Sequence, residues 1–393
     1  MVILLLIAFV LAPAYVIKFS FLHLPTDILM LWVIFVWIAF LVWLVYKKQF
    51  SKYLEFRRTI NKKVLIFTGL FFLSGIISLF IKGIDRAKLG QFIVLFLQPI
   101  SLFFIARYVF SLNPKTKTHL LLTTYFLLAI SGLYGIIQYF TLLGLPPAWW
   151  GNSVEPKRAL SFFVHPNFYA LWCAPLLALL IPDLLERVKR IGLRVKWPIV
   201  GWLIGAIGLL LSLSRSGWLG LAAAVLVYLI FAADKKIRKI IFGAIVAIII
   251  IVFAVPNLRW RVILPFYGEK SAVSRISLWR DGLSGVKDAP ILGLGLNGFA
   301  KDYGYLNTDP NLDTHNFPHN IFLDLWVETG LIGLISLIGL ITYYIYTGLK
   351  NRRDIFALGV ALFLIAIIFQ GLVDNPYFKN DLALVFWIVL ALI

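Results

Sequence analysis

The chain has 393 residues, of which 61% are hydrophobic and 14% charged, and its formal charge is +19. An average soluble domain carries about 25% charged residues, and a soluble fold of this length could not hide so much apolar surface, so the composition points to lipid as the solvent. The apolar runs are continuous rather than alternating, which excludes a β-barrel. No basic segment stands apart from those runs, so the positive charge reads as topology signals and headgroup contacts, not nucleic-acid binding.

In chain order, the opening MVILLLIAFVLAPAYVIK has the apolar core of a signal peptide but no basic leader. It is predicted to stay as a first helix. Spans are then expected at 2–17, 28–46, 64–81, 89–109, 119–140, 167–185, 198–213, 217–233, 240–255, 320–347, 355–373 and 381–393. The expected fold class is therefore all-α: a single polytopic membrane domain over 1–393 with about twelve transmembrane helices. With both termini cytoplasmic, the inward gaps hold 21 Lys and Arg in 51 residues and the outward gaps 15 in 117. That asymmetry is what the positive-inside rule requires. Cys173 is the only cysteine, so no intramolecular disulfide framework or thiolate cluster is expected.

The gap at 256–319, between the ninth and tenth spans, is far longer than an ordinary connection and falls on the outer, periplasmic side. Within it SRISLWRDGLSGVKDAP sets Ile276, Trp279, Leu283 and Val286 at helical spacing, with Pro290 as a stop. This predicts an amphipathic helix lying at the interface. The glycines at 293, 295 and 298 mark a turn-rich stretch. It is no phosphate loop, because no βαβ unit surrounds it.

Few polar residues stand out against this background. Arg215, in LLLSLSRSGWLGL, lies between two apolar runs with almost no loop on either side. An arginine there needs a partner or a wet cavity, unless it simply snorkels to headgroups. THNFPHNIFLDLWVETGLIGLI carries His315 and His319, four apart with Pro318 between them. Without an HExxH or a third ligand at suitable spacing, metal binding is not expected. Asn320, Asp324 and Glu328 share one helical face, and the two acids are expected to find arginine partners. His319, at the mouth of the helix, is the natural general base near neutral pH. Arg275, Trp279 and Arg280 lie on the interfacial helix, while Arg158, His165 and Asn167 lead into the sixth span. Arg158, Arg215, Arg275 and His319 all fall on the outer side by this topology. Guanidinium forks pair with two phosphate oxygens at once, so arginines around a histidine suit a reaction in which a phosphate leaves and a hydroxyl attacks.

These stretches carry a resemblance. SRSGWLGL around Arg215, SRISLWRDGL..VKDAPILGLGLNGF around Arg275, PHNIFLDLWVETGLIGL around His319 and, more loosely, RALSFFVHPNFYA around Arg158 resemble the O-antigen ligase and O-antigen polymerase family of bacterial inner-membrane glycosyltransferases. They occur in family order over 158–334. The segment after Arg158 departs from the pattern in lacking a Gly-Thr before Pro166-Asn167. The resemblance implies a glycan donor on undecaprenyl diphosphate and an acceptor sugar hydroxyl on lipid A–core or on another lipid-linked glycan. It also implies a periplasmic-facing site in the inner membrane. Arg215 and Arg275, with Arg158, would hold the diphosphate; His319 would activate the acceptor; and Asn320, Glu328 and His315 would support it. No cofactor is implied, and the sequence offers no DxD for a metal. The alternatives are a polymerase of the same family and, from another class, a flippase of lipid-linked sugars. A flippase usually shows repeat-related halves, and this sequence has none.

Overall fold

The computed structural model describes residues 1–21, 24–152, 156–191, 196–263, 269–303 and 316–393. Helices dominate them. In chain order they are α1 (Val2–Val10), α2 (Ile28–Tyr46), α3 (Phe50–Thr59), α4 (Lys62–Phe80), α5 (Arg86–Phe92), α6 (Gln98–Leu112), α7 (Lys115–Thr141), α8 (Pro166–Ile191), α9 (Lys196–Leu211), α10 (Arg215–Phe231), α11 (Lys235–Ala254), α12 (Pro256–Ile263), α13 (Lys270–Asp288), α14 (Gly298–Asp302), α15 (Ile321–Lys350), α16 (Ile355–Gly371) and α17 (Asn380–Leu390).

Among the described residues, seven helical segments are long and apolar enough to cross a membrane, and four further apolar helices have 10–17 residues. At 1.5 Å per residue a 16-residue helix spans about 24 Å, short of a hydrocarbon core about 30 Å thick. The opening segment departs from the predicted span. α1 ends at Val10, and Ala12–Val16 follow as a 3₁₀ turn with a proline at its start, where the missing amide costs nothing. The all-α fold class holds, with one short hairpin beside the helices. Lys18–Phe21 (β1) and Leu24–Asp27 (β2) form a short antiparallel hairpin, from which Asp27 caps α2 by accepting from Met30 N at 2.7 Å.

The chain forms two compact units. The first comprises Met1–Thr123, Ser277–Tyr346 and Asp374–Ile393. In it α17 packs along α6. A π-turn, Ile93–Leu97, joins α5 to α6. The Leu95 carbonyl there accepts from Tyr377 Oη at 2.7 Å, and that oxygen accepts in turn from Trp387 Nε1 at 3.0 Å. A π-turn disturbs the regular backbone ladder, and the phenol supplies Leu95 with a donor.

In the same unit α15 is interrupted at Gly330, whose backbone is non-helical at φ 67° and ψ −171°. The interruption lets the loop after α13 bond to the helix backbone. Leu294 N donates to Val327 O at 2.6 Å, and Leu331 N donates to Ile291 O at 2.9 Å. Any side chain at Gly330 would collide with the loop, since a Cβ there would lie 2.3 Å from Ile291 O. The VETGLIGL and ILGLGLNGF stretches therefore lock together. Leu278, Val286, Leu294, Phe299 and Val327 form the core of this corner.

The amphipathic helix predicted from the sequence is α13. Ile276 and Leu283 are exposed, whereas Leu278, Gly282 and Val286, four residues apart, are buried. The buried stripe uses glycine for close approach: a Cβ on Gly282 would lie 3.1 Å from Pro318, and one on Gly285 would lie 3.2 Å from Leu294.

The second unit comprises Thr124–Ile276 and Thr347–Val373. Its centre is α16, packed between α8 and α10 and buried along nearly its whole length. Glycines allow that approach, as in other membrane helix pairs. A Cβ on Gly359 would lie 2.6 Å from Leu179 O, and one on Gly220 would lie 2.7 Å from Ala366 O. By contrast α11 is almost wholly exposed, and nearly every residue of it is apolar after KKIRK.

Candidate functional site

In the second unit the polar residues gather at the turn from α9 to α10. Leu213 takes a left-handed conformation, φ 52°, which ends α9 abruptly. Terminal carbonyls of a helix lack intrahelical donors and carry its negative dipole end. Three successive ones here receive donors from elsewhere: Leu211 O from Ala159 N at 3.0 Å, Ser212 O from Arg158 Nε at 2.9 Å, and Leu213 O from Arg261 Nε at 3.0 Å. Arg158 is buried, bonds Asn167 Oδ1 through Nη2 at 2.6 Å, and lies against the Trp149 ring. His165 packs edge-on to the same ring and accepts from Asn167 N at 3.0 Å.

Arg215 opens α10 from this turn. Its Nη2 donates to Glu269 Oε2, while Arg261 Nη1 donates to Glu269 Oε1. One carboxylate thus bridges two guanidiniums. The side chains of Glu269 and Arg261 are 5% and 8% exposed, and that of Arg215 is 25% exposed. Arg215 Nη1 is buried without a hydrogen-bond partner among the described residues. Burial would raise the Glu269 carboxyl, but the charges of Arg261 and Arg215 outweigh it and hold the group below its ordinary value. Arg275, on α13, donates from Nε to Val373 O at 2.6 Å and from Nη1 to Ser271 O at 3.1 Å.

In the first unit His319 also takes a left-handed conformation, φ 56°, one residue before the Asn320 cap of α15. Its Nδ1 lies 3.2 Å from Asp374 Oδ1. Asp374 is 2% exposed and accepts Asn375 N at 3.0 Å through the same oxygen. A carboxylate at Nδ1 favours the tautomer with the proton on that nitrogen, which makes Nε2 the basic one. Asn320 caps α15, its Oδ1 accepting from Phe322 N at 3.0 Å and Leu323 N at 3.3 Å. Trp279 Nε1 donates to the His319 carbonyl at 3.4 Å.

Among the described residues, the two acids further along α15 have no arginine hydrogen-bonded to them. Glu328 accepts two backbone amides, Asn297 N and Phe299 N, the second at 3.2 Å. The left-handed Asn297 turns those amides toward it. Asp324 is fully buried, and neither carboxylate oxygen has a hydrogen-bond partner among the described residues. His315 lies outside the described residues. Among them no group of three or more His, Cys, Asp and Glu is arranged to hold a metal ion.

The structure thus brings Arg158 and Arg215 to one turn of the second unit, with Arg275 elsewhere in that unit, and places His319, Asn320 and Glu328 in the first. Sequence reasoning missed Arg261 and Glu269 and gave Asp374 no role. Glu269 carried a signal, since it is the only acid among the arginines and lysines of 256–280.

These features define a helical membrane protein with buried arginines and carboxylates and a part-buried histidine near its helix ends. Residues 200–338 match the family model described as O-antigen ligase. The resemblance read from SRSGWLGL and PHNIFLDLWVETGLIGL holds: the chain carries an O-antigen ligase family domain over that segment. It is also 28% identical over 163 residues to an uncharacterized protein of Haemophilus influenzae, a match covering 36% of this chain. The chain spans 40% of the length of that relative.

Proposed function

We propose that the protein is a glycosyltransferase of the inner membrane, moving a glycan from undecaprenyl diphosphate to an acceptor sugar hydroxyl at the periplasmic face. In this reading the chain crosses the membrane twelve times, with both termini cytoplasmic and 256–319 outside. The exposed α11 meets lipid.

The observation that carries the reading is the His319–Asp374 pair beside the α15 cap. It supplies an oriented base of the kind that activates a hydroxyl. His319 Nε2 takes the proton as the acceptor oxygen attacks the anomeric carbon. The bond from that carbon to the diphosphate oxygen breaks, and its electron pair leaves with the diphosphate. Direct displacement inverts the anomeric centre. Charge grows on the departing diphosphate, and Arg215 and Arg275 stabilise it. One such preorganised donor contributes about 3 kcal/mol to the transition state. Arg158 braces the turn that presents Arg215. No step calls for a metal. A flippase needs no oriented base, so the His–Asp pair favours transfer over transport.

The test is glycan transfer by the purified protein in EDTA, with a lipid-diphosphate glycan as donor. Lipid A–core is offered as acceptor in one arm and a second lipid-linked glycan in the other. Transfer to lipid A–core identifies a ligase, and transfer to the lipid-linked glycan identifies a polymerase. Absence of transfer in both arms, with donor moving between leaflets of vesicles, would establish the flippase instead.

A further inference from the structure

Resting on the donor reading above, we propose that Arg261 is a further guanidinium of the diphosphate site, beside Arg215, and that Glu269 is a displaceable internal anion occupying it. Arg261 and Arg215 reach the two oxygens of one carboxylate, each with a single Nη. Guanidiniums spaced to meet adjacent oxygens of a carboxylate are spaced to meet adjacent phosphoryl oxygens, which bring more charge and more acceptors.

Three observations fit displacement better than a permanent brace. Arg261 is fixed independently of Glu269, because its Nε holds the Leu213 carbonyl at 3.0 Å. Arg215 is anchored by its place at the start of α10, and its buried Nη1 has no partner among the described residues. Among the described residues, Glu269 sets a single carboxylate against two guanidiniums, and a diphosphate would bring them more charge. Glu269 thus holds the pair together until donor arrives. It also excludes weaker anions, because a ligand must outcompete a charge-assisted pair on both sides.

The experiment measures binding of undecaprenyl diphosphate to the full-length chain in nanodiscs, with undecaprenyl monophosphate and phosphatidylglycerol as the other arms. Removing the internal competitor in E269Q, or shortening it in E269D so that it cannot bridge both arginines, tightens diphosphate binding about tenfold. R261A weakens it by about the same factor, and R261K, which keeps the charge but loses the fork, also weakens it. The second variant of each pair covers a first that does not fold. Weaker or unchanged binding by a folded Glu269 variant makes the residue a brace and overturns the proposal, as does unchanged binding by a folded Arg261 variant. An equal gain for phosphatidylglycerol overturns the diphosphate assignment. If the wild-type chain binds no undecaprenyl diphosphate at all, the donor reading itself fails. If it binds and these variants match it, only the present inference fails.

Discussion

Nδ1 of His319 faces Oδ1 of Asp374 at 3.2 Å, joining the residue before the α15 cap to one 55 positions later in the chain. The left-handed His319 backbone sets the ring at that point, and the nearly inaccessible carboxylate orients it. A carboxylate in this position holds the tautomer and stabilises the imidazolium formed during proton transfer. Asp374→Asn keeps the shape but can present an amide donor to Nδ1. The expected result is a fall in kcat of about 10²–10⁴ with little change in donor KM, measured by initial rates of transfer. A rate within a few fold of wild type would make Asp374 a structural partner of His319 and nothing more.

The Arg215–Glu269–Arg261 bridge has a pH signature. Glu269 titrates below its ordinary value of 4.5 in the folded protein. A depressed carboxyl contributes stability that is present above the unfolded value and disappears as pH falls through the folded one. Thermal unfolding in detergent should therefore show wild type losing Tm more steeply than E269Q once pH drops below about 4.5. Parallel curves for the two proteins would mean that the bridge contributes nothing to folding.

Gly330 tests the interlock between α15 and the loop after α13. Alanine there must adopt a positive φ and place its Cβ against Ile291 O. A destabilisation of at least about 2 kcal/mol is expected, with earlier proteolysis of 291–299. Gly69→Ala is the control, because a Cβ at that helical position meets nothing within 4 Å. It should be neutral or slightly stabilising. Equal Tm values for the two variants would contradict the described packing.

What the sequence disclosed followed from periodicity and charge. The long apolar helices, the helix at 270–288 and the break at 293–298 could all be read from spacing. The packing face of α13 could not, because Gly282 carries no apolar signal yet makes the close contact. Asp324 and Glu328 were expected to seek cations along the helix face. The partner of Glu328 is instead two backbone amides about thirty residues upstream, set by one left-handed asparagine. Backbone donors leave no trace in side-chain composition. Arg215 was legible because an arginine between two spans is costly. Arg261 was not, because an arginine in a basic outer loop looks ordinary until Leu213 O and Glu269 are seen around it.

The central claim is that the arginines and His319 act on one donor in different roles, and the most direct measurement separates binding from chemistry. Purified His319→Ala and Arg215→Lys are each assayed for binding of the lipid-diphosphate glycan and for single-turnover transfer in EDTA. The account predicts that His319→Ala binds donor like wild type and transfers nothing. Arg215→Lys should bind weakly and transfer about 10² times more slowly or worse, because an ammonium lacks the guanidinium fork. Transfer at the wild-type rate by His319→Ala, or wild-type binding and rate in Arg215→Lys, would contradict it.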